Sequence, residues 1–195
     1  AATVVRTLAS VACPPAALHE PEISGNEWAY VKECLDTGWV SSVGGYVDRF
    51  EAMIAEQTGA KHTIATVNGT AALHACYTLA GVEAGDEVIV PTLTFVGTAN
   101  AVAYLGAIPH FADSEEPTLG LDAAKLEEHL NEIAEPAMAR CVNRLTGRPI
   151  TAVVVVHLYG HPSNLDALGA VCRRFGIALI EDAAESLGSY YKGRH

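Results

Sequence analysis

The stretch Ala152-Val153-Val154-Val155-Val156, the segment from Asn164 to Phe175, and then Ile177-Ala178-Leu179-Ile180-Glu181-Asp182 decide the fold. A short, wholly apolar run rich in valine suits a strand buried on both faces rather than one with a wet side. An Asn-led helical segment follows, and then a second apolar run. Strand, helix, strand in that order makes a parallel pair joined by a crossover. Asp182 then sets a carboxylate where a buried strand reaches the mouth of a sheet. Such a group costs free energy unless a cation or hydrogen-bond donors answer it.

The same alternation extends toward the N-terminus. A strand from Glu87 to Val90 leads into a helix from about Val96 to Leu105. A strand from Ile108 to Phe111 leads into a helix from Asp122 to about Ile133. Farther upstream, His62 to Thr66 is expected as a strand feeding a helix near Thr70. Two helices precede it. One opens on a capping box of Ser24 and Glu27, passes through Trp28, Val31 and Leu35, and ends near Gly38. The other runs from about Tyr46 through Phe50, Met53 and Ile54 to Gly59. Glu135 to Pro149 reads as a long polar loop, an insertion between helix and strand. The fold class is therefore α/β, three layers, with a mostly parallel sheet covered by helices on both faces.

Composition narrows the function classes. A chain of 195 residues with 50% hydrophobic and 18% charged residues has ample material for a core. The net charge of -11 argues against a nucleic-acid surface, which is normally basic. It leaves room for an anionic ligand held locally by backbone N–H groups. No apolar run reaches the ~18 residues of a membrane span, and Ala1 to Ala17 lacks the charge pattern of a signal peptide. The five cysteines are scattered, and Cys34, Cys76 and Cys172 sit among apolar neighbours in expected helices. Buried free thiols and a cytoplasmic location are the expectation. A start without Met and an abrupt end suggest a fragment.

Three segments could carry chemistry. Asn68-Gly69-Thr70-Ala71 stands at a strand-to-helix junction, where Gly69 allows close approach and the amides of Thr70 and Ala71 could face an anion. An ordinary helix cap explains the same residues. Pro91-Thr92-Leu93-Thr94-Phe95 follows a strand end, and Phe95 could stack on a flat heterocycle or simply fill the core. Asp182 could pair with a protonated ring nitrogen, orient a histidine, cap backbone, or join His157 and His161 around a metal. Glu185, three residues on, could line the same pocket. A Ser-His-Asp triad lacks its G-x-S-x-G elbow, and neither the Walker A nor the G-x-G-x-x-G fingerprint is present. Read together, a phosphate cradle, a stacking aromatic and a carboxylate for a pyridinium nitrogen describe a pocket for pyridoxal 5'-phosphate (PLP).

At this point the chain resembles the DegT/StrS family of PLP-dependent sugar-nucleotide aminotransferases. The likeness runs from Glu22 onward. Its carriers are Thr37-Gly38-Trp39-Val40-Ser41-Ser42, Asn68 to Leu73, Pro91 to Val96, His157-Leu158-Tyr159-Gly160-His161-Pro162 and Glu181 to Gly188. The segment Asn143-Arg144-Leu145-Thr146-Gly147-Arg148 is similar to the branch that aminates UDP-linked 4-keto sugars on routes to bacillosamine and legionaminic acid.

The resemblance implies the aspartate aminotransferase-like (type I) fold. Residues 1–21 would form an N-terminal arm and 22–195 the first part of the PLP-binding large domain. It implies that Gly69, Thr70 and Ala71 bind the phosphate, that Phe95 stacks on the ring, and that Asp182 pairs with N1. Glu185 stands where the family often has His or Gln near the reacting amine, and is the candidate catalytic residue. Trp39 and Ser42 fall in the segment that approaches the sugar nucleotide. A UDP- or dTDP-linked keto sugar, glutamate as amino donor and a homodimer are the implied partners. The cofactor-bearing lysine is implied beyond His195, so neither Lys61 nor Lys192 is nominated. A histidine in its place would imply a sugar dehydratase.

Overall fold

The valine-rich run is the spine of the sheet. In the computed structural model, which describes residues 2–11, 21–137 and 140–195, it forms β5 (Arg148–Val156). On one side β5 pairs in parallel with β1 (Glu87–Pro91), which pairs in parallel with β2 (Ile108–Ala112). On the other side its carboxyl half pairs in parallel with β6 (Ala178–Asp182), from Ala152 opposite Ala178 to Val156 opposite Asp182. The parallel order β2-β1-β5-β6 has the arrangement expected of a doubly wound sheet.

Side-chain alternation divides the core in two. Val88, Val90, Ala152, Val154 and Ile180 face α4 (Gly69–Leu79) and α5 (Val96–Tyr104), meeting Leu73, Tyr77, Ala101 and Val102. Ile89, Val153 and Val155 face α6 (Ala123–Ile133) and α7 (Leu165–Phe175), meeting Leu126, Leu130, Leu168 and Val171. Five strand residues in a row from Ala152 to Val156 are buried because both faces are covered. Asn164 and Asp122 cap α7 and α6, each accepting from amides of the first turn.

Two elements depart from the sequence expectation. His62 to Thr66 is not a strand, because no described strand lies beside it to complete a ladder; Ala65 instead donates its N–H to Glu51 Oε1 at 2.7 Å. Residues 135–149 are not a plain loop. They hold a hairpin of β3 (Ala134–Ala137) and β4 (Arg140–Asn143), and β5 begins already at Arg148. Tertiary pairing with the amino half of β5 overrides the polar composition.

The chain divides into two units after Asp48, within α3 (Gly45–Thr58). The first contains α1 (Ala2–Val11) and α2 (Glu27–Thr37). The expected capping box is absent. Asn26 is the N-cap of α2, Ser24 donates to Glu22, and Glu27 accepts from the Gly25 amide instead. The thiols also sort differently. Cys141 and Cys172 are buried and free, Cys34 is half-buried, Cys76 is exposed, and Cys13 lies outside the described residues. Burial pushes the Cys172 thiol up to about 11, so it stays protonated near neutral pH. Among the described residues, no helix is long and apolar enough to cross a membrane.

At the amino end of β1 a buried carboxylate ties several elements together. Glu87 accepts from Thr146 Oγ1 at 2.6 Å, Asn143 Nδ2 at 2.9 Å and His110 Nδ1 at 2.8 Å. The far nitrogen of His110 lies 2.9 Å from His129 Nε2 on α6. Desolvation raises the Glu87 pKa, but the hydrogen bonds from Thr146, Asn143 and His110 together outweigh it and hold the carboxyl below its ordinary value.

Candidate functional site

The chain leaves β1 toward β2 on one side and later places β5 and β6 on the other. The order therefore reverses at the carboxyl ends of β1 and β5. Ligands of open α/β sheets bind in the crevice at such a switch point. The amino ends of α4 and α5 and the carboxyl end of β6 supply residues there.

Asn68 has an extended backbone and caps α4 by accepting the Ala71 N–H on Oδ1 at 2.8 Å. The Ala71 amide is thus already engaged, contrary to the expectation that it faces a ligand freely. Among the described residues the Gly69 and Thr70 amides have no acceptor. A helix start with two open N–H groups favours an anion electrostatically.

Phe95 is the N-cap of α5 and is 75% exposed, so it is not the core aromatic that one reading of the sequence allowed. Gly97 shows how close Phe95 and Thr70 are. A Cβ built on Gly97 would lie 2.9 Å from Thr70 Oγ1 and 3.0 Å from Phe95 Cδ1. Only a residue without a side chain lets the two helix starts meet this way.

Asp182 is half-buried and ends β6 on the same face as Ile180, the α4/α5 face. Thr98 donates Oγ1–H to its Oδ2 at 2.7 Å, and the Ala184 amide reaches Oδ1 at 3.3 Å. Among the described residues no Lys, Arg or His nitrogen pairs with it. Its field is felt by Tyr77, whose phenol is driven upward first by burial and then by the Asp182 charge. Tyr77 is fully buried and donates to the Thr98 carbonyl at 3.2 Å.

Glu185 lies in the turn after β6 and accepts the Tyr159 N–H on Oε2 at 2.8 Å. Tyr159 has φ +52°, a strained left-handed conformation at the end of β5 that this bond helps hold. Glu181, one residue before Asp182, points to the opposite face. There it meets His157 Nε2 at 3.1 Å, while His157 Nδ1 accepts the Ser163 amide. With Nδ1 accepting, Nε2 is the nitrogen that donates, to Glu181. Among the described residues no group of three or more His, Cys, Asp or Glu side chains could hold a metal.

A cleft of about 910 Å³ also lies beside β6, lined by Ile54, His157, Glu181, Ser186, Tyr191 and Lys192 among others. Thr70, Phe95 and Asp182 do not line it. It is the poorer chemical site, because its Lys192 is already paired with Asp166 on an exposed turn. Trp39 and Ser42 belong to the first unit, on the exposed bend after α2, where Trp39 is 59% exposed.

Gly69, Thr70, Phe95 and Asp182 thus meet around the first turn of α5, with Ala71 one residue behind in α4. The sequence reading missed Gly97, Thr98 and Tyr77. The one signal for Thr98 was its spacing, four residues after Thr94.

Comparisons with known proteins address the chain as a whole. A GDP-perosamine synthase of Caulobacter vibrioides is 41% identical over 181 residues, 93% of this chain and 44% of that protein. Among solved structures, 3-amino-5-hydroxybenzoic acid synthase superposes with a TM-score of 0.76 at 28% identity, covering 93% of this chain and 43% of that one. NtdA from Bacillus subtilis, solved with bound cofactor PMP, superposes with a TM-score of 0.71 at 29% identity, covering 84% and 34%. The chain therefore spans less than half the length of the relatives it matches. The profile of the DegT/DnrJ/EryC1/StrS aminotransferase family matches residues 21–195, and the chain belongs to that family.

Proposed function

We propose that this chain is the cofactor-cradling part of a PLP-dependent aminotransferase that converts a nucleotide-linked keto sugar to an amino sugar, with glutamate as amino donor. One observation carries the reading. A helix start with open amides, an exposed aromatic and an ion-unpaired carboxylate converge on the first turn of α5. These are the partners that the phosphate, the ring face and the ring nitrogen of PLP require.

In this reading Gly69 and Thr70 hold the phosphate through their amides, with the Thr70 hydroxyl beside them and Ala71 shaping the turn behind. Phe95 covers one ring face and excludes water from it. Asp182 keeps a proton on the ring nitrogen, so the bound cofactor serves as an electron sink for carbanion chemistry. Glu185 lies near the reacting amine, held by the Tyr159 amide. Trp39 and Ser42 contact the sugar nucleotide, and the working unit is a homodimer.

The resemblance in the sequence points to UDP or dTDP, whereas the Caulobacter relative is named for a GDP-linked sugar. The test therefore uses all three. The complete gene product carrying this chain is incubated with PLP, glutamate and GDP-, UDP- or dTDP-linked 4-keto-6-deoxy sugars. 2-Oxoglutarate is read by a coupled assay and the amino sugar nucleotide by mass. Retention of PLP that Asp182→Ala abolishes, with product from one nucleotide series, is the expected result. A protein that retains no PLP, or retains it equally with Asp182→Ala, overturns the reading.

A further inference from the structure

Thr98 is 1% exposed and bonds both the backbone of Phe95 and the Asp182 carboxylate. Its N–H donates to the Phe95 carbonyl at 3.1 Å and its carbonyl accepts from Tyr77. Its hydroxyl accepts from Thr94 Oγ1 at 2.9 Å and donates to Asp182 Oδ2 at 2.7 Å. A threonine hydroxyl has one proton to give. The Thr94 proton could also reach the Phe95 carbonyl at 3.3 Å, but its shorter bond is to Thr98, and the Thr98 proton goes to the carboxylate. The chain of donors therefore has a direction, from the loop that carries Phe95 to Asp182.

We infer that Thr98 is a positioning residue for the ring-nitrogen carboxylate, locking Asp182 in one rotamer. This rests on the PLP reading above. With Oδ2 held by Thr98, Oδ1 receives, among the described residues, the long Ala184 contact at 3.3 Å. That oxygen keeps acceptor capacity for one further donor, as a protonated pyridine nitrogen requires. A carboxylate held in one rotamer presents that oxygen to the ring nitrogen in a fixed direction. Because the backbone N–H of the same residue bonds the Phe95 carbonyl, one buried residue links the loop carrying the aromatic to the carboxylate.

The discriminating variant is Thr98→Val, which keeps the shape and removes the donor. In the complete gene product loaded with ring-15N PLP, it should move the pyridine nitrogen resonance toward the unprotonated position. It should also weaken PLP binding on the order of ten-fold, the size of one charge-assisted hydrogen bond. Thr98→Ser should restore both. A merely structural role for Thr98 would lower stability without moving the nitrogen resonance. If the wild-type protein binds no PLP, the functional reading falls and takes this inference with it. If it binds PLP and Thr98→Val leaves the resonance in place, Thr98 alone loses its role. Should Thr98→Val fail to fold, Thr98→Cys puts a weaker donor in the same place. An intermediate resonance supports the inference, and a wild-type one overturns it.

Discussion

Glu87→Gln gives a sharp physical test of the fold, because it removes a charge while nearly preserving shape. Glu87 is 2% exposed and accepts three hydrogen bonds, from β2, from the end of β4 and from the turn after it. In the variant the amide oxygen can still serve His110 and Asn143, and the amide nitrogen can face Thr146, whose hydroxyl rotates to accept. All three bonds survive, but as neutral ones. The difference between charge-assisted and neutral bonds is about 1 kcal/mol each, or about 3 kcal/mol in all. Relief of the buried charge's desolvation offsets part of this. A net loss of about 2 kcal/mol near neutral pH is the expectation.

The pH dependence gives the prediction a second edge. The native pKa of Glu87 lies below its unfolded value of about 4.5. Its contribution is therefore fully present above that value and is lost as pH falls through the depressed native pKa. Gln does not titrate. The stability gap between wild type and variant, from urea unfolding followed by circular dichroism, should stay constant from about pH 7 to about pH 5.5 and narrow below about pH 4. A gap within about 0.5 kcal/mol of zero near neutral pH, the scatter typical of surface substitutions, would refute the reasoning. So would a gap that persists unchanged in acid.

Three further outcomes are expected. Asn68→Ala removes the cap on the Ala71 amide and should cost about 1 kcal/mol in urea unfolding. Gly97→Ala pushes on Thr70 and Phe95; PLP affinity, followed by cofactor fluorescence, should fall about ten-fold (~1.4 kcal/mol), while stability changes by less than about 1 kcal/mol, since alanine gains in helix propensity. Leu130→Ala in the core under α6 should lose about 2–5 kcal/mol, with a wild-type cofactor spectrum because it lies on the opposite face of the sheet.

What was legible in the sequence followed from local chemistry. The run Ala152 to Val156 could only be a doubly covered strand, and Asn164 and Asp122 marked their helices because they cap them. What was not legible depended on partners. His62 to Thr66 has the composition of a strand, yet a strand exists only through a neighbour's hydrogen bonds, and its Ala65 amide goes to Glu51. The hairpin at β3 and β4 was hidden for the converse reason: polar residues became strand because β5 offered an edge. Ser24 and Glu27 carried the letters of a capping box without its contacts.

The same distinction governs the site. Gly69, Thr70, Phe95 and Asp182 were readable because each stands at the end of a regular element, where backbone groups or side chains must face outward. Their mutual arrangement was not, since it depends on Gly97 and Thr98. One acts by having no side chain to separate Thr70 from Phe95, the other by spending its single proton on Asp182. An alanine at position 97 or a valine at 98 would leave every recognisable motif intact. The first would push Thr70 and Phe95 apart, and the second would free the carboxylate to turn. The recognisable residues therefore supply the chemical groups, and the first turn of α5 determines whether those groups act as one site.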